Sequence, residues 1–197
     1  MRRLKTVLRR MAMLPRLIIL RTSGVSVGTN VRVYGRVRIH RAEGSTISLA
    51  SNVVLNADAR RNTLESRGPV ILKTLSPHAL LSIGKDSGMT SATISSASEI
   101  SIGDRVLIGA GVLITDSDHH VVRPPTGMHR RYLGFPPVRA GDRVRIADDV
   151  FIGARSIVLK GVSIGARSVI GAGSVVVNDI PPDVIAAGNP CRVLGTL

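Results

Sequence analysis

Apolar residues recur every six positions through the C-terminal third of the chain, where Ile146, Ile152, Val158, Ile164, Ile170 and Val176 keep that interval without a miss. Gly or Ala usually follows at the next position (Ala147, Gly153, Gly165, Gly171), and a small or branched residue stands four places on (Val150, Ser156, Val162, Ser168, Ser174). A short repeat sustained this far fixes the architecture, because each unit can bury its apolar side chain only against its neighbours. The pattern predicts a β-solenoid. Three hexads make a triangular coil, with a short strand on each flat side and a small residue such as Gly at each corner. Stacked coils lie about 4.8 Å apart, as neighbouring strands do in any sheet. The hexads from Ile146 to Pro181 then supply two full coils.

The same register continues upstream with interruptions. Val27, Val33 and Ile39 form a first run, and Leu49 and Leu55 a second. Ile83 and Met89 open a third, which Ile102, Ile108 and Ile114 resume after a step around Ser95 to Ser101. Two segments do not fit: Arg60 to Ser76, with Gly68-Pro69, and His120 to Ala140, with Arg123-Pro124-Pro125-Thr126-Gly127 and Pro136-Pro137. Neither composition continues a regular coil. Long loops on a rigid scaffold are usual places for binding and chemistry, so residues 120–140 are the first place to look.

Composition fits a repetitive core. Val, Ile, Leu and Ala dominate the 44% hydrophobic content, Trp is absent and aromatics are 2%. With 197 residues, the expected organisation is a basic amphipathic helix over 1–22 followed by one solenoid domain over 23–197, with its loop and a C-terminal tail. The net charge of +14 suggests nucleic acid until it is mapped. Before Glu43 stand eleven basic residues and no acidic one, whereas from Glu43 onward sixteen basic residues face thirteen acidic ones. The excess is N-terminal.

Leu4, Val7, Leu8, Met11, Leu14 and Ile18 follow helical spacing, with Arg2, Arg3, Lys5, Arg9, Arg10 and Arg16 largely elsewhere on the wheel. Such a helix can lie on an anionic bilayer surface, or pack its apolar face on the end of the solenoid and close it. Pro15 is expected to end or kink it near Leu14. Leu17 to Leu20 is too short to span a membrane, and no cleavage site follows a proper apolar segment. The expected location is the cytoplasm, with a peripheral membrane contact open. Cys191 is the only cysteine, so no internal disulfide can form.

The sequence resembles the hexapeptide-repeat acyltransferases, and within them the galactoside, maltose and exopolysaccharide O-acetyltransferase branch. The resemblance is carried by Ile102-Gly103-Asp104-Arg105-Val106-Leu107-Ile108-Gly109-Ala110-Gly111 and Thr115-Asp116-Ser117-Asp118-His119-His120. It continues in Val150-Phe151-Ile152-Gly153-Ala154, Val158-Leu159-Lys160-Gly161-Val162, Ile170-Gly171-Ala172-Gly173-Ser174 and Gly188-Asn189-Pro190-Cys191-Arg192-Val193. It implies an all-β fold, a left-handed parallel β-helix. General topology rules favour right-handed crossovers, so the hand comes from the resemblance alone. The resemblance also implies a homotrimer with sites between subunits and transfer of an acetyl group from acetyl-CoA to a saccharide or glycolipid hydroxyl, with no metal.

Transfer from a thioester to a hydroxyl needs a base, donors for the oxyanion and a slot for both substrates. Histidine suits the first, since its unperturbed side chain titrates near neutrality. One branch of the family places the catalytic His on His120, the galactoside branch on His119. Agreement at Leu55-Asn56-Ala57-Asp58 and Pro69-Val70-Ile71-Leu72 favours His120. Asp116 and Asp118 are candidates to orient the imidazole, and Asp118 alternatively caps a turn. The resemblance assigns backbone amides at Ala154 and Ala172 to the cofactor, although both also read as plain corner residues. Lys160 and Arg192 stand at family-matching positions for its phosphates, and Arg155 and Arg167 are weaker candidates. Cys191 has no His in its motif and reads as a packed thiol.

Two other functions fit the sequence less well. Carbonic-anhydrase-like chemistry needs three well-spaced His ligands, a poor match to adjacent His119 and His120. A basic peripheral protein binding lipid or nucleic acid without catalysis would use residues 1–41. Only Tyr34 is available there for stacking, so no nucleic acid partner is expected.

Overall fold

The computed structural model describes residues 14–64 and 68–197. The chain winds as a parallel β-helix whose coils present three flat faces. Face A stacks Val25–Val27, Thr46–Leu49, Leu80–Ile83, Glu99–Ile102, Val144–Ile146 and Ser163–Ile164. Face B stacks Arg32–Gly35, Val54–Ala57, Gly88–Thr90, Leu107–Ile108, Phe151–Ile152 and Val169–Ile170, and ends in an antiparallel hairpin of Val184–Gly188 and Cys191–Thr196. Face C stacks Val37–His40, Val70–Thr74, Thr93–Ser96, Leu113–Thr115, Ile157–Val158 and Val175–Val176. The segment expected as a C-terminal tail is thus largely this hairpin.

The hexads set the coil. Ile146 pairs with Ile164, Ile152 with Ile170 and Val158 with Val176, a register of eighteen residues or three hexads. All six side chains are buried in one continuous core. The residue four places on also points inward: Val150 and Val162 pack there, and Ser156 and Ser168 donate their hydroxyls to the carbonyls of Gly171 and Pro181. Glycine after the core residue answers the next coil rather than the turn. A Cβ on Gly109 would stand 2.6 Å from the Ala154 nitrogen.

One expectation is corrected here. Residues 60–76 are not irregular throughout, because Val70–Thr74 is a full strand of face C. Val70, Leu72 and Thr74 are buried and the strand pairs with Val37–His40 on one side and Thr93–Ser96 on the other. Its alternation was masked because the preceding insertion throws the strand out of six-residue register with Leu55.

Residues 14–22 are helical. Leu20 is buried and Leu17 packs against the core, so this stretch closes one end of the solenoid, while Leu14, Ile18 and Ile19 are exposed. The described helix runs on past Pro15 to residue 22. Proline removes only its own N–H and crowds only the preceding turn, so residues after Pro15 keep their donors. The apolar positions read over residues 1–13 lie outside the described residues.

Candidate active site

The corner between faces C and A carries the longest excursion, residues 116–143. Asp116, 2% exposed, anchors its start. Its carboxylate accepts from the Ala97 N–H at 2.5 Å, the Ser98 N–H at 2.8 Å and the Ser96 hydroxyl at 3.0 Å. These bonds satisfy the previous coil's corner, and no histidine shares them. Lys160 ties the two ends of the loop together, with Nζ 2.6 Å from Asp118 and 3.4 Å from Asp142. The hydrogen bond to Asp118, with help from the Asp142 charge, holds the lysine pKa above its ordinary value against partial burial.

His119 sits at φ 59°, a left-handed conformation uncommon for residues other than glycine. Its N–H donates to the Ser117 hydroxyl, its Nε2 lies 3.2 Å from Thr115 Oγ1, and its ring meets Phe135 edge-on with centroids 6.0 Å apart. His120 is exposed and has no partner among the described residues. Between loop and corner lies a cavity of about 580 Å³ lined by Asp116, Asp118, Arg123, Arg139, Asp142 and Lys160.

The corner between faces B and C holds the other predicted residues. Here a groove of about 440 Å³ is floored by Gly153, Ala154, Gly171 and Ala172, and walled by Asn62 and Thr63 from the insertion. The N–H groups of Gly153, Arg155, Gly171 and Gly173 all bond to adjacent coils, whereas those of Ala154 and Ala172 find no acceptor among the described residues. The Arg155 side chain is exposed beside them, without a partner among the described residues.

The predicted residues therefore fall into two groups. His119, His120, Asp116, Asp118 and Lys160 share one corner; Ala154 and Ala172 share the next, with the width of face C between them. Lys160 is engaged by the loop and lines its cavity, not the amide groove. Arg192 stands on the final hairpin, its guanidinium donating to the Cys191 carbonyl. Cys191 is buried, and burial pushes its thiol pKa up, as suits a packed residue. Arg167 is paired to Asp183. Thr115, Phe135, Asp142 and Asn62 were not read from sequence. Thr115 and Phe135 enter the site through His119 within the loop, and Asp142 and Asn62 through contact with other coils, none of which the six-residue pattern signals.

Comparison with known proteins agrees with the repeat and the fold. The family described as "Hexapeptide repeat of succinyl-transferase" matches residues 82–116 and 143–177, the two stretches that flank the loop. The galactoside O-acetyltransferase of Escherichia coli K12 is 41% identical over 98 residues, which are 48% of this chain and 43% of that protein. A maltose O-acetyltransferase from Clostridium difficile 630 has 27% identity and a TM-score of 0.56, covering 92% of this chain and 74% of its own. The chain is similar to the hexapeptide-repeat acetyltransferases and carries their repeat on both sides of the loop.

A hexapeptide-repeat acetyltransferase from Vibrio cholerae, solved with acetyl coenzyme A, shares the fold at a TM-score of 0.57 and 24% identity, covering 93% of this chain and 77% of that one. The β-helix is accordingly left-handed, the exception to the usual crossover rule. The chain spans under half the length of the curated relatives it matches. The repeat is what the chain shares with these proteins, and the loop lies between the two matched stretches.

Proposed function

We propose that the protein is an acetyl-CoA-dependent O-acetyltransferase acting on a saccharide or glycolipid hydroxyl. The observation that carries the reading is the amide groove: Ala154 and Ala172 offer two unpaired N–H donors in stacked coils, in a slot where small residues let a ligand approach the backbone. The groove suits a pantetheine arm, and Arg155 is the free cation beside it for phosphate, a better-placed one than Lys160. Acetyl-CoA, when bound, supplies the acetyl thioester. The chain supplies the base, which takes the acceptor hydroxyl proton as the oxygen attacks and returns it to the departing sulfur. We assign that role to His119 ahead of His120, because Thr115 and Phe135 hold its ring and a fixed base is a better base.

One chain separates base and groove by a whole face, so the proposal includes a homotrimer in which a loop of one copy meets the groove of the next. The outward columns support it. One outward column of face A is polar throughout, with Ser26, Ser48, Ser82, Ser101, Arg145 and Ser163, and the other sets Leu80 between Thr46 and Glu99. Face B shows Leu107, Phe151, Val169 and Ile185, and face C shows Leu113, Ile157 and Val175. Leu107 and Phe151 are 57% and 44% exposed in the single chain, which favours cover by further copies. Contact with an anionic membrane through Leu14, Ile18, Ile19 and Arg21 belongs to the same proposal. Among the described residues, no helix is long and apolar enough to cross a membrane.

The test is acetyl transfer from acetyl-CoA to a panel of sugars by wild type, His119→Ala and His120→Ala, each sized by sedimentation. His119→Ala should lose about 10²- to 10⁴-fold in kcat while remaining a trimer. A matching loss confined to His120→Ala would move the base one residue on, and near-normal turnover in both variants would sink the mechanism.

A further inference from the structure

Face C carries a second outward column, and its chemistry changes along its length. His40 pairs in register with Lys73, Lys73 with Ser95, and Ser95 with Thr115, whose hydroxyl meets His119. The column deepens as it goes. His40 is exposed, Lys73 half-buried, and Ser95 and Thr115 are each 4% exposed. Burial along this column thus rises toward His119.

Two of its groups lack partners. Ser95 Oγ is buried without any hydrogen bond. Strand alternation turns it away from the core, which Ile94 faces, and toward the side of Thr115. A buried hydroxyl left this way is costly unless a ligand completes it. Lys73 likewise has no hydrogen bond or ion pair among the described residues. Arg38 lies two residues before His40 on the same face, and neither outward column of the face contains an acidic residue.

Spacing converts this into a ligand. Lys73 is two coils from Thr115, about 10 Å at the usual strand separation. A lysine stem covers part of that gap, and the remainder is the scale of one sugar ring. We propose that this column is the acceptor subsite and that the acceptor is an anionic saccharide. Its acidic group, phosphate or carboxylate, rests on Lys73, a ring substituent completes Ser95, and the reacting hydroxyl faces Thr115 and His119. The inference rests on the acetyl-transfer reading above and extends it to the class of acceptor.

Calorimetric titration tests it apart from turnover. The probes are the 1-phosphates of glucose, galactose and N-acetylglucosamine, glucuronate, the neutral parent sugars, and inorganic phosphate. They are applied to wild type, Lys73→Met, Lys73→Arg and Ser95→Ala, with folding checked by circular dichroism. At least one anionic sugar should bind about tenfold or more tightly than its neutral parent. Lys73→Met should erase that preference, Lys73→Arg should keep most of it, and Ser95→Ala should weaken acidic and neutral sugars alike. The phosphate and glucuronate arms say which acid is read. No anionic preference, a preference that survives Lys73→Met, or inorganic phosphate binding as tightly as every sugar phosphate would overturn the subsite. Acetyl transfer to neutral sugars with no dependence on Lys73 would overturn it while leaving the transferase standing. Lys73-dependent binding with no transfer to any probe would do the reverse.

Discussion

Between faces A and B every coil turns with four residues: 28–31, 50–53, 84–87, 103–106, 147–150 and 165–168. Between faces C and A the connections are 41–45, 75–79, 97–98, 116–143 and 159–162, hardly two of one design. At the first corner Asn30, Asn52, Asp86, Arg105, Asp149, Arg167 and Asp183 stack one above another at φ between 55° and 64°. From Asn52 on, each donates its N–H to the carbonyl of the coil before. Their side chains join as well, through Asn30 to Asn52, Asn52 to Asp86, Arg105 to Asp149 and Arg167 to Asp183. That corner is a spine satisfied by its own backbone. The other corner gives up this repetition, and single side chains such as Asp116 and Lys160 must close it. The freedom to vary in length is what lets it carry the loop and the histidines.

If a side chain substitutes for stacking at the variable corner, removing it should cost more than any single spine residue. Asp116→Ala strands the buried N–H of Ala97 and the half-buried N–H of Ser98. At about 1–3 kcal/mol for each unsatisfied donor, the loss should reach about 2–6 kcal/mol in denaturant unfolding. Asp116→Asn keeps one acceptor oxygen and should recover part of it. A loss below 1 kcal/mol in the alanine variant would show that the corner stands without its carboxylate.

The next contrast sets a glycine in the spine against one in the loop. A Cβ on Gly103 would lie 2.8 Å from the Asp148 nitrogen and 2.9 Å from the Ala147 carbonyl carbon, with no room because coils stack at fixed spacing. Gly103→Ala should destabilise by about 1–3 kcal/mol. Gly141 has nothing within 4 Å, and Gly141→Ala should be close to neutral. Equal effects in thermal unfolding would erase the distinction between the corners.

The same difference explains what could be read from the sequence. The spine and the six-residue core are local repeats, so Ile146 to Val176 gave coil length, register and inward positions directly. The strand Val70–Thr74 escaped because an insertion shifts its phase, and the role expected for Asp116 and Asp118 was drawn from sequence proximity to the histidines. In the fold their partners are 18–20 and 42 residues away, at the corner of Ser96 to Ser98 and at Lys160. Those contacts depend on how long each connection is, and a period of six says nothing about connections that break it. Ala154 and Ala172 were singled out only through the resemblance, and their separation from the histidines by one face became visible only with the coil closed.

The weakest effect belongs to the charged rungs of the spine. Hydrogen bonds from Arg105 and Arg167 hold the Asp149 and Asp183 carboxyls below the usual carboxylate range. A carboxyl whose pKa is lower folded than unfolded adds stability that is complete above its unfolded value and lost as pH falls through the folded one. The window is therefore below about pH 4, and neutral or alkaline pH should leave these rungs untouched. All four groups face solvent, so salt should screen what they contribute. Melting temperature followed from pH 6 to pH 2 should fall less steeply below pH 4 in the double variant Asp149→Asn, Asp183→Asn than in wild type, with the gap narrowing in high salt. Parallel curves would mean that the spine owes its order to the stacked backbone bonds alone, and that its ion pairs only decorate it.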